Sequence, residues 1–309
     1  MRVHLGVKSD PIEYRYSYSW LFNIMNQLAV DRLQLGSFFE LYSLPDAYFN
    51  DLKEEADSYG IRISSLFTAH RELGGFFTGN GHMEAVARKN YERMIEIAAL
   101  LGADYAGSNP GAVYRDQMQN KDKGIETYLK HMKELMQFAH EVGLRGLCIE
   151  PMSCLAEPPS LPDEMEYMLE TLNHWHTQNP DTTVAAYLCG DISHGYIDRR
   201  GKELYSNTDL FRAGIPWMSE FHIKNTDSVY GSTFGFTPSE REKGIVSIEG
   251  LRDLIHRNAS KWPMSEVVGY FEINGPKLGR DYSDHLLEEQ IRESLLHIKA
   301  KLIGDPALL

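Results

Sequence analysis

The chain has 309 residues, 42% hydrophobic and 24% charged, a composition that excludes a disordered or fibrous protein and supplies enough apolar surface for a core without disulfides. Lys plus Arg number 31 and Asp plus Glu 44, so the formal charge of −13 opposes general attraction to nucleic-acid phosphate or anionic lipid. No window approaches the roughly 18 apolar residues of a membrane span; the N-terminus lacks a signal-like apolar run, and the three cysteines form no C-x-x-C pair, so a cytoplasmic location is expected.

In chain order, Val3–Val7 reads as a strand and Trp20–Ala29 as a helix. A short second strand at Arg32–Leu35 precedes a helix from about Asp46 to Tyr59. Ile61–Phe67 is the third strand, and the apolar spacing of Ala85, Ala87, Tyr91, Met94, Ile97 and Ala98 predicts a long helix over Met83–Leu101. A weak fourth strand, Asp104–Gly107, leads into a helix over Lys121–Val142. Gly146–Ile149 is the fifth strand; its helix, Asp163–Asn179, starts at the Pro162-Asp163 signal. Strands six, seven and eight are Thr183–Leu188, Trp217–His222 and Val267–Glu272, and a last helix covers about Asp284–Leu302. Strands separated by helical segments, with no composition break, no linker and neither G-x-G-x-x-G nor a P-loop, predict one (β/α)8 barrel domain over residues 1–309. Cys148 and Cys189 lie in apolar strand-like runs and read as buried structural thiols.

In such a barrel the C-terminal strand ends and the loops beyond them build the active site. Here the third strand runs to His70, the fifth to Glu150, the sixth to Asp191 with His194 three residues on, the seventh to His222 and the eighth to Glu272. Three carboxylates and one imidazole make a hard, oxygen-rich site for one divalent ion: Mn²⁺ is expected, with Co²⁺, Mg²⁺ or Zn²⁺ as alternatives. An ion holding adjacent carbonyl and hydroxyl oxygens polarises the carbonyl and stabilises an enediolate. Glu150 and Glu272 on opposite walls can then remove a proton on one face and return one on the other.

The Glu, Asp-x-x-His, His, Glu pattern on strands five to eight resembles the xylose-isomerase-like TIM-barrel superfamily, and within it the sugar (or sugar-phosphate) isomerase and epimerase group that includes ketose 3-epimerases. The resemblance implies Glu150, Asp191, His222 and Glu272 as metal ligands, Glu150 and Glu272 as the acid/base pair, and His194 and Glu157 as substrate contacts. It implies an isomerase or epimerase of a small ketose or ketose phosphate; a keto-polyol dehydratase is the nearest alternative, and a non-catalytic sugar-binding protein a further one. Departures are informative. Ser228 stands where ketose 3-epimerases carry an Arg, for which Lys224 is the available substitute. Glu150-Pro151 is followed by Met152 where xylose isomerases have a Lys, which favours proton transfer on one metal over a two-metal hydride shift. The His-Pro-Gly of the superfamily's endonuclease IV-type members is Asn109-Pro110-Gly111 here, against a nuclease and a nucleic-acid partner.

Other residues carry two readings each. His70 is a substrate contact or a packed rim histidine. Lys8, at the end of strand one, either faces substrate or is solvated. With Arg15, Arg71, Lys224, Lys277 and Arg280 it either counters the acidic mouth for an anionic substrate or forms a solvated rim. His174 and His176, two apart on a helix, share no face and read as surface residues. The aromatic run Tyr14, Tyr16, Tyr18, Trp20 is a sugar-stacking wall, ordinary packing or a contact in a homo-oligomer. The long segment from Thr226 to Lys243 is a lid or a subunit contact.

Overall fold

A computed structural model describes residues 1–36, 39–69 and 72–304. Its elements in order are β1 (Arg2–Lys8), α1 (Tyr18–Gln27), β2 (Arg32–Leu35), α2 (Phe39–Ser43), α3 (Asp46–Ser58), β3 (Arg62–Thr68), α4 (Gly81–Leu101), β4 (Tyr105–Ser108), α5 (Lys121–Glu141), β5 (Gly146–Ile149) and α6 (Pro162–Gln178). There follow β6 (Ala185–Asp191), β7 (Tyr196–Ile197), β8 (Glu203–Tyr205), α7 (Asn207–Gly214), β9 (Met218–Ile223), β10 (Asn225–Thr226), β11 (Thr233–Phe234), α8 (Pro238–Lys243), α9 (Ile248–Arg257), β12 (Glu266–Phe271) and α10 (Leu287–Ile298).

Eight strands form a closed barrel in the order β1-β12-β9-β6-β5-β4-β3-β2, the expected (β/α)8 architecture, and two small antiparallel hairpins, β7–β8 and β10–β11, stand outside it. By internal contacts the chain also divides into two units. One comprises Met1–Gln34, Glu54–Arg62 and Gly190–Leu309; the other comprises Leu35–Lys53 and Ile63–Cys189.

In the first unit β1 pairs in parallel with β2 and β12, and β12 with β9, so that His222 stands beside Tyr270 and Glu220 beside Val268. Strand β9 is buried along its whole length. Its two-residue period sends Glu220, His222 and Lys224 to one face and Phe221 and Ile223 to the other. Phe221 meets Phe211 of α7 edge-on at 5.5 Å and Trp262 at 6.2 Å, a packed aromatic group behind the strand. In the second unit β3, β4, β5 and β6 pair successively. Cys148 and Cys189 are buried with Phe67 and Tyr105, as expected for structural thiols.

Helix ends follow local chemistry. Asn80 accepts from the backbone N–H groups of His82 and Met83 to start α4, and Gly102, in the left-handed region at φ 74°, ends it. Ser206 with Asp209, and Thr237 with Glu240, form capping boxes on α7 and α8.

Two departures from the sequence reading have physical causes. The sixth strand begins at Ala185, not Thr183, because Thr183 is held by the end of α6: its hydroxyl donates to the Asn179 carbonyl at 2.7 Å and lies 2.8 Å from His176 Nδ1. Helices α7 and α9 are additional; they are eight and ten residues long, and their caps rather than long apolar runs mark them. The Thr226–Lys243 segment is an ordered hairpin strand pair followed by α8. Tyr16 stacks on Trp20 at 4.0 Å, the i,i+4 packing of a helix start, so this part of the aromatic run is ordinary packing. No described helix is long and apolar enough to cross a membrane.

Candidate active site

Strands β6, β9 and β12 each deliver one functional side chain at their C-terminal end. Asp191 is the last residue of β6 and its side chain is fully buried. One oxygen, Oδ1, accepts from the Ser193 backbone N–H at 2.7 Å and the Ser193 hydroxyl at 2.8 Å. The other, Oδ2, faces Lys224 Nζ at 2.7 Å, His194 Nε2 at 3.3 Å and His222 Nδ1 at 4.0 Å. Oδ2 is buried yet receives no well-directed hydrogen bond.

His222 is also fully buried. Its Nε2 lies 2.7 Å from Gln34 Oε1, while the Gln34 amide nitrogen donates to Glu220 Oε1 at 3.1 Å. That second bond orients the amide so that its oxygen faces the ring, and Nε2 is then the protonated nitrogen. Nδ1 faces Glu272 Oε2 at 3.1 Å: as an imidazolium the ring pairs with that carboxylate, and as a neutral imidazole it turns a lone pair toward any cation held there.

Glu272 follows β12, and its backbone N–H donates to the Ile223 carbonyl at 3.1 Å. Both carboxylate oxygens are engaged: Lys8 Nζ donates to Oε1 at 2.8 Å and Lys224 Nζ to Oε2 at 2.7 Å. Burial pushes the Glu272 carboxyl up, but His222, Lys224 and Lys8 together hold it well below the usual carboxylate range. Burial likewise opposes ionisation of Asp191, and His194 and Lys224 outweigh it, so this carboxyl also titrates below its ordinary value.

Glu150, 7% exposed, follows β5. It, Asp191, His222 and Glu272 each offer one ligand atom, and the four atoms lie within 4.8 Å of one another. Around a six-coordinate divalent ion with metal–ligand distances near 2.0–2.3 Å, opposed ligands are about 4.0–4.6 Å apart. The spacing, the buried Asp191 Oδ2 without a well-directed hydrogen bond, the His222 Nδ1 turned toward the other ligand atoms and the hard donor set all fit a divalent cation.

The remaining sequence-predicted residues fall as follows. His194 sits beside Asp191, its side chain 14% exposed. Lys8 is 4% exposed and bridges Asp10 (2.9 Å) and Glu272, which excludes the solvated reading. Lys224 is 9% exposed and bound by two of the candidate ligands. Glu157 forms an ion pair with Arg115 at 3.0 Å. His70 and Arg71 lie outside the described residues. Arg15 donates to the Pro276 carbonyl and lies 3.7 Å from Asp284. His174 and His176 are not part of the cluster; they contact Gln178 and Thr183.

Sequence reasoning missed Gln34, Ser193, Asp10 and Glu220. Two of them carried a signal: Glu220 is in phase with His222 and Lys224, and Gln34 is the lone amide within the strand Arg-Leu-Gln-Leu.

The D-psicose 3-epimerase of Clostridium cellulolyticum H10, solved with D-tagatose, superposes with a TM-score of 0.71 at 14% identity, covering 97% of this chain and 99% of that one. An L-ribulose 3-epimerase gives 0.66 at 14% identity over 99% of both chains. The probable 3-DHS dehydratase AsbF of Bacillus anthracis gives 0.66 at 11% identity over 99% of this chain and 100% of that one. No curated protein matches the sequence significantly. At these identities the likeness is one of fold. The sequence itself matches a family model over residues 27–299, most of its length, and with it the chain belongs to the xylose isomerase-like TIM barrel family.

Proposed function

We propose that the 309 residues act as a single barrel domain, a divalent-metal-dependent isomerase or epimerase that moves a proton at the carbon next to a small ketose's carbonyl. The observation that carries this reading is the convergence of Glu150, Asp191, His222 and Glu272 within 4.8 Å, with the His222 tautomer set by Gln34. Those four residues would hold the ion, with Mn²⁺ the expected one. When bound, it supplies Lewis-acid polarisation of the carbonyl and neutralises the negative charge that develops on oxygen.

The chain's own residues divide the remaining work. Both oxygens of Glu272 are already satisfied by lysine ammonium groups whose positive charge stabilises its ionised form, and in this scheme Glu150 removes the substrate proton. Glu272 stands for the opposite face of the exchange, where a proton is returned to the same carbon. His194 hydrogen-bonds a substrate hydroxyl, held next to Asp191 for that purpose. Glu157, His70 and Lys224 remain substrate contacts in this proposal. A dehydratase of the same family is the second reading, favoured by one feature: the Lys224 ammonium beside Glu272 is a proton source for a departing hydroxide.

The test is a panel of ketoses and their phosphates incubated with the enzyme and Mn²⁺ in D₂O and followed by NMR. Deuterium entering one carbon without loss of water supports proton transfer, and loss of water supports dehydration. Full turnover by both Glu150→Gln and Glu272→Gln with metal bound refutes the two-carboxylate scheme.

A further inference from the structure

Tyr230 sits at the tip of the β10–β11 hairpin in the left-handed backbone region, φ 55°, a conformation that non-glycine residues rarely adopt and that persists where the surroundings impose it. Asp227 builds the turn that presents it. Its Oδ1 accepts from the backbone N–H groups of Val229 (3.0 Å) and Gly231 (2.9 Å), its Oδ2 from the Ser232 hydroxyl (2.7 Å), and its carbonyl from the Tyr230 N–H (3.1 Å).

The Tyr230 ring lies flat on Gly195, the residue after His194. A Cβ built on Gly195 would fall 2.1 Å from Tyr230 Cζ, 2.3 Å from Cε2 and 2.6 Å from Cε1. Only glycine leaves room for the ring. The Tyr230 hydroxyl donates to the Glu203 carboxylate on β8 and accepts from the Asn207 N–H at 3.2 Å, at the start of α7. Asn207 in turn donates its side-chain amide to the Ile192 carbonyl at 2.8 Å. Thus the loop running from Asp191 through Ile192, Ser193 and His194 to Gly195 is held at both ends by contacts that converge on one side chain. Asp191 and His194 are linked within it: the His194 N–H donates to the Asp191 carbonyl at 3.4 Å.

We propose that Tyr230 is a positioning residue that acts through His194, its ring seated on Gly195 and its hydroxyl tied to Glu203 and Asn207, so that the hairpin after β9 holds the substrate-facing loop after β6 in place. The functional half of this inference rests on the reading of His194 as a substrate contact; the structural half does not. The hairpin is then a clasp rather than a freely swinging lid.

The test uses the full-length enzyme as wild type, Tyr230→Ala, Tyr230→Phe, Gly195→Ala, His194→Ala and the Tyr230→Ala/His194→Ala double variant. Amide hydrogen exchange read by mass spectrometry should accelerate by about tenfold or more across residues 192–207 in Tyr230→Ala and in Gly195→Ala, with β5 and β12 unchanged. Tyr230→Phe, which keeps the ring, should show a smaller effect, and it carries the test should Tyr230→Ala fail to fold. Mn²⁺ affinity measured by calorimetry should stay within about threefold of wild type, whereas KM for the ketose that wild type labels should rise about tenfold with a smaller change in kcat. In the His194→Ala background, Tyr230→Ala should raise KM no further. Unchanged exchange over residues 192–207 overturns the clasp, and multiplying KM effects in the double variant overturn action through His194. Should wild type label no ketose, the proposed activity fails while the exchange measurement still decides the clasp.

Discussion

Replacing Lys224 by Met removes one ammonium from between two buried carboxylates while nearly keeping its volume. Its Nζ stands 2.7 Å from Asp191 Oδ2 and 2.7 Å from Glu272 Oε2, with the three side chains 11%, 0% and 13% exposed. At an effective dielectric near 20, each contact carries roughly 6 kcal/mol of attraction before desolvation is subtracted. Deleting one member of a buried ion pair costs about 3–5 kcal/mol net, because the partner charges stay behind. With an unfolding entropy of roughly 0.65 kcal/mol/K for a chain this long, Tm should fall by about 5–8 °C in EDTA. A divalent ion neutralises the same two oxygens, so Mn²⁺ should raise the variant's Tm by more than it raises the wild type's. Calorimetric scans of both proteins, with EDTA and with saturating Mn²⁺, supply all four numbers. A metal-free variant as stable as wild type, or an equal gain on adding Mn²⁺, would refute the claim that Lys224 balances these carboxylates.

Gln34→Leu deletes the acceptor that sets the His222 tautomer, and Mn²⁺ affinity measured by titration calorimetry should weaken by about 10–100-fold with little change in secondary structure. Ser206→Ala breaks the α7 capping box at a cost of about 1 kcal/mol, seen as a Tm lower by about 1–2 °C. Asp191 and Glu272 have depressed folded pKa values, so their contribution to metal-free stability is present above the ordinary carboxylate range, near 4. It is lost as pH falls below about 4 through those depressed values. Urea midpoints should therefore vary little on account of these two groups from pH 7 to 5 and drop steeply below 4, less steeply in Asp191→Asn; an equal slope in that variant would contradict the assignment.

Much of the cluster was legible because a barrel strand is an apolar run whose final residue can be read directly. Asp191 and His222 lie in runs bounded by buried apolar residues, and Glu272 directly follows one; the structure places all three where that logic puts them. What stayed hidden depends on neighbours far away in sequence. Lys8 reads as solvated or substrate-facing in isolation, and only the pairing of β1 with β12 brings it to Glu272, 264 positions on. Gln34 acquires meaning from His222, 188 positions away. Helix α9 carried a readable stripe in Ile248, Leu251, Leu254 and Ile255, but at ten residues it competes with loop signals on either side. Tyr230 reads from sequence only as one aromatic of the Thr226–Lys243 segment, since nothing local to Ser-Val-Tyr-Gly announces a left-handed tyrosine whose contact is Gly195.

The charges around the cluster lead to a prediction about the substrate. Asp10, Glu150, Asp191, Glu220 and Glu272 place five carboxyl groups around the cluster, against the two ammonium groups of Lys8 and Lys224. A divalent ion would offset most of that excess. Lys8 and Lys224 are each engaged by carboxylates of this group. Arg15 is likewise committed to Pro276 and Asp284. A phosphate dianion that recruited Lys8 or Lys224 would leave a buried carboxylate without its partner, whereas a neutral ketose needs only hydrogen bonds and the ion. Free ketoses should therefore exceed their phosphate esters in kcat/KM by about tenfold or more, the equivalent of roughly 1.4 kcal/mol. A phosphate ester labelled faster than the free sugar in D₂O would refute this preference.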